Sequence, residues 1–440
     1  MKILFFRSTH ICLTLIVGSV FVTLFITSIP VSTSPKCSNF EKSLNSSYEN
    51  GHWQVLETMN GTFEMLNAYY DDRNYLKGRG QPIIRIIAFQ KRNITEANLF
   101  CLIWFDEISD PIIREVDEFR PLWFGDIKTE TTEIISILIT CPNPLADKGF
   151  VPSSVSVVAN RSDVPSNSLK VIRSIPENGQ KKTVAVCGML LSYEDNLSSK
   201  LIEWIEILLI LGADRIVFSV ITIHPDMMKV LKFYEKTGKI KLELMSFPKV
   251  QSSKLHNQMI AINDCFYKNM NDFEFVTTLD IDEFIVPSRF EDRTWQDLLK
   301  RVTHSKEFHS YEVKNVFFNL DNNHRGEVQP DVPRKFSFLQ HVYRAVEFSL
   351  WGENTKSFMR TEDVIVIHNH RALQCSTECN HFVIVPEDAR LQHYRRGCGG
   401  GYSPEKCNEF RSNTTRDTTL WRYKDDIIRN VQNTKKNLFE

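Results

Sequence analysis

The stretch of sequence that decides the fold is residues 184–221, VAVCGMLLSYEDNLSSKLIEWIEILLILGADRIVFSVI. It begins with a continuous apolar run at residues 184–191, which predicts a buried strand. In residues 200–211 the apolar side chains recur about every 3.6 positions, and Gly212 follows as a stop, so this segment predicts a helix. Residues 215–221 predict the next strand. Strand, helix and strand in this order indicate a parallel sheet covered by helices.

The same alternation continues toward the C-terminus. We predict helices over residues 225–236 and 254–268, and strands over residues 240–247 and 274–280. The fold class is therefore α/β, and ligands in such sheets bind beyond the carboxyl ends of the strands. No GxGxxG follows the first strand and the chain has no GxxxxGK[ST], so the usual dinucleotide and P-loop sites are not predicted.

The last of these strands runs directly into an acidic segment, FVTTLDIDEFIVP at residues 275–287. In an extended chain, Asp280 and Asp282 point to the same side, with Ile281 packed behind them. Adjacent carboxylates repel unless a cation lies between them, and such oxygen ligands suit Mg²⁺ or Mn²⁺. A metal that bridges a diphosphate neutralises the charge of that leaving group, so the segment predicts displacement of a nucleotide diphosphate. The alternative is an acidic turn in which Asp282 caps a loop.

The N-terminal segment predicts a membrane anchor. Only Lys2 and Arg7 carry a formal charge before Lys36, and residues 11–29 are dominated by Ile, Leu, Val and Phe. This run is long enough to cross a bilayer. No small-residue cleavage pattern follows it, which favours a retained anchor over a cleaved signal peptide. The positive N-terminal flank places the rest of the chain in the lumen. We predict a cytoplasmic tail at residues 1–7, an anchor at 8–30 and a stem at 31–65.

Two further features agree with a lumenal chain. Acceptor sequons for N-glycosylation all follow the anchor, at Asn45, Asn60, Asn93, Asn160, Asn196 and Asn413. Cysteines in an oxidising compartment tend to form disulfides. Of the ten cysteines, Cys12 lies in the anchor and nine remain, so at least one is free or pairs between chains, with Cys37 as the candidate.

The other cysteines suggest where disulfides form. Cys101 and Cys141 each fall in or beside a strand-like run, which predicts a bond between them. A second group near the C-terminus invites a zinc interpretation, but its spacing is not that of a zinc ribbon or finger, so disulfides are favoured. This group consists of Cys375, Cys379, Cys398 and Cys407.

The remaining chain divides by pattern. Short β-branched and aromatic runs separated by polar turns predict a small β-rich module at residues 66–160. A linker follows at 161–182, the α/β pattern occupies 183–425, and a C-terminal tail is predicted at 426–440. Lys and Arg total 53 and Asp and Glu total 54, a net charge of −1. A chain without a basic excess has no electrostatic footprint for nucleic acid, and no such partner is expected.

Several motifs in this order resemble glycosyltransferase family 92. They are Leu201-Ile-Glu-Trp-Ile-Glu206, Asn263-Asp-Cys265, Leu279-Asp-Ile-Asp-Glu-Phe-Ile-Val-Pro287 and His393-Tyr-Arg395, and the resemblance covers roughly residues 66–400. It implies a GT-A-type, Rossmann-like catalytic domain, a divalent metal that is usually Mn²⁺, a nucleotide-sugar donor and inversion at the anomeric carbon. Relatives that use UDP-galactose on β-linked acceptors make UDP-galactose the expected donor. The anchor and this resemblance together suggest a single-pass type II Golgi membrane enzyme with a glycan acceptor.

The resemblance also implies roles for individual residues. Asp280 and Asp282 match the family's Asp-x-Asp, with Asp282 the first choice of metal ligand and Asp280 expected to hold ribose or metal. Glu283 braces the loop or ligates through water. His393 best matches the histidine that often completes such a metal shell, and a neutral imidazole suits Mn²⁺. His368 and His370 are the alternatives and would alternate on a strand.

Other residues are expected to contact the substrates. Inversion needs a carboxylate to take the proton of the acceptor hydroxyl. Glu353 is our candidate, because a Trp–Gly turn beside it gives an apolar face for stacking a sugar, and Asp331 is the other candidate. The expected donor contacts are Arg395 and Arg396 at the diphosphate, Lys356 near it, and Tyr193 and Glu194 at the nucleotide base.

Two other functions remain open from the sequence. One is a non-catalytic, glycan-binding membrane glycoprotein whose β-rich module binds glycans. The other is a metal-dependent phosphohydrolase that uses the same carboxylates, although the chain lacks a second metal-ligand constellation at a recognisable spacing.

Overall fold

The structure is a computed structural model that describes residues 52–59, 61–73, 81–91, 98–123, 134–248, 253–303, 307–324, 326–398 and 401–439. The predicted cytoplasmic tail, the anchor and most of the stem lie outside these ranges, as do Cys12 and Cys37. The sequons at Asn45, Asn60 and Asn93 lie outside them too. Among the described helices, none is long and apolar enough to span a membrane.

The N-terminal part of the described chain is a β-sheet in the order β5-β4-β8-β9-β2-β3-β7-β6, with β1 paired to β2. Its strands are β1 (Gln54–Thr58), β2 (Gly61–Asp71), β3 (Ile83–Lys91), β4 (Phe100–Phe105), β5 (Ile108–Glu115), β6 (Glu118–Pro121), β7 (Ile134–Pro142), β8 (Ser154–Val158) and β9 (Leu169–Ile172). The predicted disulfide between Cys101 of β4 and Cys141 of β7 is confirmed. Because those strands are far apart in the order, the sheet must curl around one apolar core to bring them together.

This sheet is larger than the module predicted at residues 66–160. It takes in β1 and the start of β2, within the predicted stem, and β9, within the predicted linker. The polar composition of the predicted stem concealed these strands, because a strand with one buried face needs apolar side chains only at alternate positions. In β1, Gln54 and Leu56 are buried while Val55 and Glu57 are exposed.

The C-terminal part carries the predicted strand–helix alternation. Its further strands are β10 (Lys182–Gly188), β11 (Leu191–Tyr193), β12 (Arg215–Ile223), β13 (Ile240–Leu244), β14 (Phe273–Leu279), β15 (Glu283–Pro287), β16 (Ser310–Val313), β17 (Asn315–Asn319), β18 (Tyr343–Ala345), β19 (Lys356–Arg360), β20 (Val364–Ile367), β21 (Ala372–Cys375), β22 (His381–Ile384), β23 (Ala389–Arg395) and β24 (Thr414–Arg416). Its helices are α1 (Ser198–Leu211), α2 (Pro225–Lys236), α3 (Lys254–Asn269), α4 (Trp295–Val302), α5 (Ser337–Gln340), α6 (Pro404–Ser412) and α7 (Lys424–Phe439).

The main sheet of this part has a reversal of strand order at β10. The chain passes from β10 to β12 and β13 on one side, and then returns to place β14 on the other side of β10, with all these strands parallel. Val184 and Val186 face the core that contains α1 and α2, whereas Ala185 and Cys187 face the core that contains α3. In open α/β sheets the crevice at such a reversal is where ligands bind. Here it lies at the carboxyl ends of β10 and β14.

Beyond β14 the sheet becomes mixed. Strand β19 pairs antiparallel with β14, β16 pairs antiparallel with β19, and β22 closes this edge. A smaller sheet in the order β15-β23-β17 stands beside it. In that sheet Glu283 pairs with His393 across β15 and β23. This pairing brings residues 110 positions apart in the chain to the crevice.

Helix α3 lies between the main sheet and the N-terminal sheet. Its apolar side chains Met259, Ile262 and Phe266 share one core with β2, β3 and β7 on one side and with β10 and β14 on the other. A disulfide between Cys187 of β10 and Cys265 of α3 joins the helix to the strand at the reversal. The sequence did not identify this pair, because the two cysteines meet only through the tertiary fold.

The predicted C-terminal tail at residues 426–440 is wrong for its described part, which belongs to α7. Ile427, Val431 and Thr434 are buried where α7 packs against α1 and α2. The expectation of disulfides over zinc near the C-terminus is confirmed by bonds between Cys375 and Cys379 and between Cys398 and Cys407.

Candidate active site

The Asp-x-Asp segment forms a turn at the crevice. Strand β14 ends at Leu279, and the backbone N–H of Glu283 donates to the carbonyl of Asp280 at 3.1 Å before β15 begins. The expectation of an extended chain at residues 280–282 is therefore wrong. The tight turn nevertheless keeps Ile281 buried and aims both aspartates into one cavity of about 590 Å³. The polar side chains that line this cavity are Tyr193, Lys200, Asp280, Asp282, Glu283, Asn354, Asn369, His370, His393, Tyr394, Arg395 and Arg396.

Lys356 is the centre of the acidic cluster. Its Nζ lies 3.2 Å from Asp280 Oδ2 and 3.0 Å from Glu283 Oε2, and it donates to Asn369 Oδ1 at 2.5 Å. The lysine side chain is fully buried. Although burial opposes it, the two carboxylates raise the pKa of Lys356, and the lysine in turn holds the pKa of Asp280 below its usual value against the effect of burial. The expected contact of Lys356 with the donor diphosphate is corrected: its charge is directed into the protein, onto these carboxylates.

Glu283 is enclosed by the same network. Its carboxylate accepts the backbone N–H of Asp280 at 3.1 Å, and its other oxygen lies 3.3 Å from Nδ1 of His393. Burial raises the pKa of Glu283 to about 7, against the opposing charge of Lys356. With its oxygens engaged in this way, Glu283 connects the turn to the histidine.

Asp282 and His393 face each other across the cavity. The Oδ1 atom of Asp282 lies 3.8 Å from Nε2 of His393. Burial lowers the pKa of His393 to about 4, so its imidazole is neutral near pH 7. Nδ1 of the same ring lies 3.2 Å from Oδ1 of Asn315, on the neighbouring strand β17. The ring is thereby held with Nε2 toward Asp282.

A divalent cation fits these donors in part. Within the described residues, no group of three or more His, Cys, Asp or Glu is arranged to hold a metal ion. Two ligands about 2.1 Å from one ion are at most about 4.2 Å apart, so the 3.8 Å between Asp282 and His393 is a suitable separation. The carboxylate of Asp280 is already paired with Lys356. Carboxylate and imidazole donors with positions left for phosphate oxygens and water are typical of Mg²⁺ or Mn²⁺ bound with a substrate.

Cations line the same cavity as the aspartates. Arg395 and Arg396, the expected contacts of the diphosphate, line the cavity at the carboxyl end of β23. Lys200, in the first turn of α1, was missed by the sequence analysis. Burial lowers the pKa of Lys200, while Asp282 and Glu203 act in the opposite direction. Its ammonium lies 5.6 Å from the ring centre of Phe338. The signal in the sequence is the position of Lys200 just after a strand end, at the start of the predicted helix.

Of the other residues expected to contact the nucleotide-sugar donor, some line the cavity and others lie at the surface. Tyr193 ends β11 and lines the cavity, whereas the next residue, Glu194, is exposed and does not line it. Successive side chains of an extended chain point to opposite sides, which accounts for the difference. His368 and His370 do not alternate on a strand, as the prediction had it, but lie in the turn between β20 and β21. His370 lines the cavity, and His368 stacks on Trp123 with ring centres 4.6 Å apart.

The two candidates for the catalytic base lie in different places. Asp331 is exposed in the segment before α5 and does not line the cavity. Glu353 is also exposed, but it immediately precedes Asn354, which lines the cavity. The hydroxyl of Tyr402 accepts from Nδ2 of Asn354 at 3.4 Å. Burial raises the pKa of Tyr402, and Glu353 acts in the same direction. The fold therefore brings Glu353, and not Asp331, to the rim of the cavity.

The C-terminal part that holds this site matches a known family. The model of glycosyltransferase family 92 matches residues 182–431, more than half of the chain. The chain belongs to glycosyltransferase family 92. This membership makes it a glycosyltransferase, and the matched residues contain every side chain that lines the cavity.

One solved structure similar to this family 92 chain is the crystal structure of S. aureus TarS, residues 1–349. The sequence identity is 17%, the match covers 41% of this chain and 47% of that chain, and the TM-score is 0.23. The match thus spans about half the length of the TarS structure. No curated protein matches the chain.

Proposed function

We propose that this chain is a metal-dependent, inverting glycosyltransferase that transfers galactose from UDP-galactose to a glycan acceptor. The observation that carries the proposal is the cavity at the reversal of strand order, where Asp282 and His393 face the cations Lys200, Arg395 and Arg396. Ligands for a divalent cation and hydrogen-bond donors for phosphate oxygens in one cavity are what the binding of a nucleotide diphosphate requires. Galactose as the sugar, and inversion as the outcome, rest on the family resemblance.

The residues of the cavity bind the donor in this proposal. Asp282 and His393 hold a divalent cation, Mn²⁺ by preference, which when bound supplies positive charge to the diphosphate. Lys200, Arg395 and Arg396 donate hydrogen bonds to phosphate oxygens, and a guanidinium does so in a bidentate manner. Asp280, oriented by Lys356, is left to meet the ribose or the cation. Tyr193 lies at the carboxyl end of β11, on the side where we place the nucleotide base.

Glu353 is our proposed catalytic base. The acceptor hydroxyl oxygen attacks the anomeric carbon of galactose, and the bond from that carbon to the diphosphate oxygen breaks, with its electron pair leaving on UDP. The proton of the hydroxyl passes to the Glu353 carboxylate. Attack on the face opposite the leaving group inverts the configuration at the anomeric carbon.

We further propose that the protein is a single-pass type II membrane protein, most simply of the Golgi, with its catalytic part in the lumen. Within the described chain, four disulfides support an oxidising compartment. The sequon asparagines that the structure describes, Asn160, Asn196 and Asn413, are all exposed.

The metal and donor roles are tested by release of UDP from UDP-galactose by the purified 440-residue chain. We expect activity with Mn²⁺, loss of it in EDTA and recovery when Mn²⁺ is restored. Asp282→Asn and Asp282→Ala are expected to lower kcat/KM by at least about a hundredfold, the scale on which one group that stabilises transition-state charge acts. Asp110→Asn, an exposed aspartate of β5, is the matched control. Activity that persists both in EDTA and in Asp282→Ala would refute the proposal.

The base is tested by a pair of variants. Glu353→Gln keeps the size of the side chain but accepts no proton, so we expect transfer to fall by about 10²- to 10⁴-fold. Asp331→Asn is expected to transfer at the rate of the unaltered chain, because Asp331 lies outside the cavity. Equal rates for Glu353→Gln and the unaltered chain would exclude this assignment.

A further inference from the structure

An exposed apolar loop adjoins the cavity. Leu350 is 65% exposed, Trp351 is 52% exposed, and Val346 a few residues earlier is 45% exposed. Single exposed apolar side chains are ordinary on a protein surface, but contiguous ones mark binding sites. Asn354, three residues after Trp351, lines the cavity itself. The apolar surface therefore continues outward from the site where the donor is expected.

The backbone of this loop is held in a defined shape. Gly352 has φ +82° and Asn354 has φ +51°, both in the left-handed region. The backbone N–H of Glu353 donates to the carbonyl of Leu350 at 3.1 Å, which closes a turn with Trp351 at its tip. A non-glycine residue in the left-handed region, such as Asn354, persists where the surroundings impose that backbone conformation.

Hydrogen bonds join this loop to the metal-facing histidine. The backbone N–H of Ser349 donates to the carbonyl of Asn315 at 3.0 Å, and Nδ2 of Asn315 donates to Oγ of Ser349 at 2.7 Å. Oδ1 of the same Asn315 lies 3.2 Å from Nδ1 of His393. On the other side, the hydroxyl of Tyr402 accepts from Nδ2 of Asn354. The orientation of the loop is thus tied to the ring that faces Asp282.

The position and the side chains of the loop indicate which kind of ligand binds there. The cavity lining contains the cations and Tyr193, and it also contains Asn354, which follows the loop directly in the chain. A pyranose has an apolar face of C–H groups, which packs on an aromatic ring, and hydroxyls that need polar partners. Trp351 and Leu350 offer the first, and Glu353, Asn354 and Tyr402 offer the second.

We propose that Leu350 and Trp351 form an acceptor platform, on which a pyranose of the acceptor glycan stacks with its reacting hydroxyl toward Glu353. The inference rests on the proposed function and adds to it the side chains that select the acceptor. It assigns the exposed indole of Trp351 to the acceptor and not to the donor. The platform therefore governs the affinity for saccharide without a contribution to nucleotide binding.

Binding and transfer are measured separately with the purified 440-residue chain. Saturation-transfer NMR detects binding of three probe saccharides: lactose, N-acetyllactosamine and methyl β-D-galactopyranoside. We expect Trp351→Ala to weaken saccharide binding at least tenfold, Trp351→Phe to retain most of it, and the affinity for UDP with Mn²⁺ to stay within twofold. In transfer assays the same loss is expected in the KM for the acceptor. Phe290→Ala, an exposed aromatic on the loop after β15, is the matched control and is expected to bind as the unaltered chain does.

Each outcome decides between the two proposals. Saccharide binding that depends on Trp351 in a chain that releases no UDP from any UDP-sugar supports the platform and refutes the proposed transfer. Equal saccharide binding by Trp351→Ala and the unaltered chain overturns the platform whatever the activity, as does a failure of all three saccharides to bind. A fall in UDP affinity as large as the fall in saccharide affinity also overturns it, because the indole would then belong to the donor site.

Discussion

At the residue scale, Lys356 pairs with two of the three carboxylates of one turn, Asp280 and Glu283. Asp280, Asp282 and Glu283 lie within four residues, and Glu283 is almost fully buried. A buried carboxylate without a partner is costly, and a buried lysine is equally so. Here each satisfies the other, and the lysine arrives from β19, a strand placed beside β14 only by the fold. The residue is thus structural support for the site, while Asp282 stays open to a ligand.

The first prediction follows from this pairing. Lys356→Met leaves Glu283 buried without its cation, and removal of one partner of a buried pair costs about 3–5 kcal/mol. We expect the free energy of unfolding, measured with urea, to fall by that amount. The double variant Lys356→Met with Glu283→Gln is expected to recover part of the loss, since the unpaired charge is gone. An unchanged urea midpoint for Lys356→Met would contradict the role given to this lysine.

Lys200 supports a second prediction. Its ammonium lines the cavity beside Asp282, and a hydrogen bond to a charged group contributes about 1.5–3 kcal/mol. Lys200→Met is therefore expected to raise the KM for UDP-galactose by roughly tenfold or more, with the stability of the chain little changed. Lys232→Met, at an exposed position of α2, is the control and should leave the KM where it is. Steady-state kinetics with varied UDP-galactose measure both, and an unaltered KM for Lys200→Met would remove this lysine from the donor site.

At the element scale, Glu203 joins α1 to the short helix α5. Its two carboxylate oxygens accept the backbone N–H groups of Ser337 at 3.0 Å and Phe338 at 2.9 Å. These are first-turn donors that a helix leaves without intrahelical partners. Burial nevertheless dominates and raises the pKa of Glu203 from 4.5 to about 7, with the two N–H groups acting against it.

The raised pKa gives a third prediction, about pH. Between pH 4.5 and pH 7 the folded chain keeps the Glu203 proton that the unfolded chain has released, so this group's stabilisation is full below pH 4.5 and is lost as the pH rises through 7. In Glu203→Gln no proton is exchanged. We expect the stability of the unaltered chain to fall relative to that of the variant by up to about 3 kcal/mol over this range. Urea unfolding at closely spaced pH values measures the difference, and parallel curves for the two chains would refute the shift.

The helices and parallel strands could be predicted closely, because local patterns determine them. The helix predicted at residues 225–236 is α2 as observed, and Gly212 ends α1 with φ +105° as expected of a left-handed cap. The turn at residues 280–282 could not be predicted, because a β-like sequence does not show where its next pairing partner lies. Strand β15 leaves the main sheet to pair with β23, more than 100 residues later.

At the scale of the whole molecule, the N-terminal sheet and the α/β part share helix α3. Tyr69 of β2 stacks on Tyr267 with ring centres 5.2 Å apart, and Nδ2 of Asn67 donates to Asp264 Oδ1 at 2.6 Å. Residues 48–440 form one compact unit by their contacts. The sequence predicted two modules and a linker, because composition reports local character and not which faces meet.

A fourth prediction concerns the fragment 182–440, which contains the family match. Without the N-terminal sheet, α3 loses the apolar neighbours Leu66, Tyr69, Ile87, Phe89 and Leu138. At about 1.5–3 kcal/mol for each large apolar side chain, the loss is on the order of 10 kcal/mol, comparable to the whole stability of a typical domain. We expect fragment 182–440 to be digested rapidly in limited proteolysis and fragment 48–440 to resist. A protease-resistant, monomeric fragment 182–440 would show that the shared core is dispensable.

Asp280 and Asp282, which the end of a predicted strand identified, line the cavity. Arg395 and Arg396, which the family resemblance pointed to, line it too. The burial of Lys356 and the cavity position of Lys200 depend on which strands become neighbours. No short sequence motif predicts either of them.

The position of helix α3 between two sheets also limits how such an enzyme can be re-engineered. A chimera that takes its N-terminal sheet from one relative and its α/β part from another would join two surfaces that were never fitted to each other around α3. We expect such an exchange to impair folding more than it changes the specificity for the acceptor. Grafting residues 346–354 leaves that shared core untouched, and under the proposed acceptor platform it is the smaller transplant for moving acceptor choice between relatives.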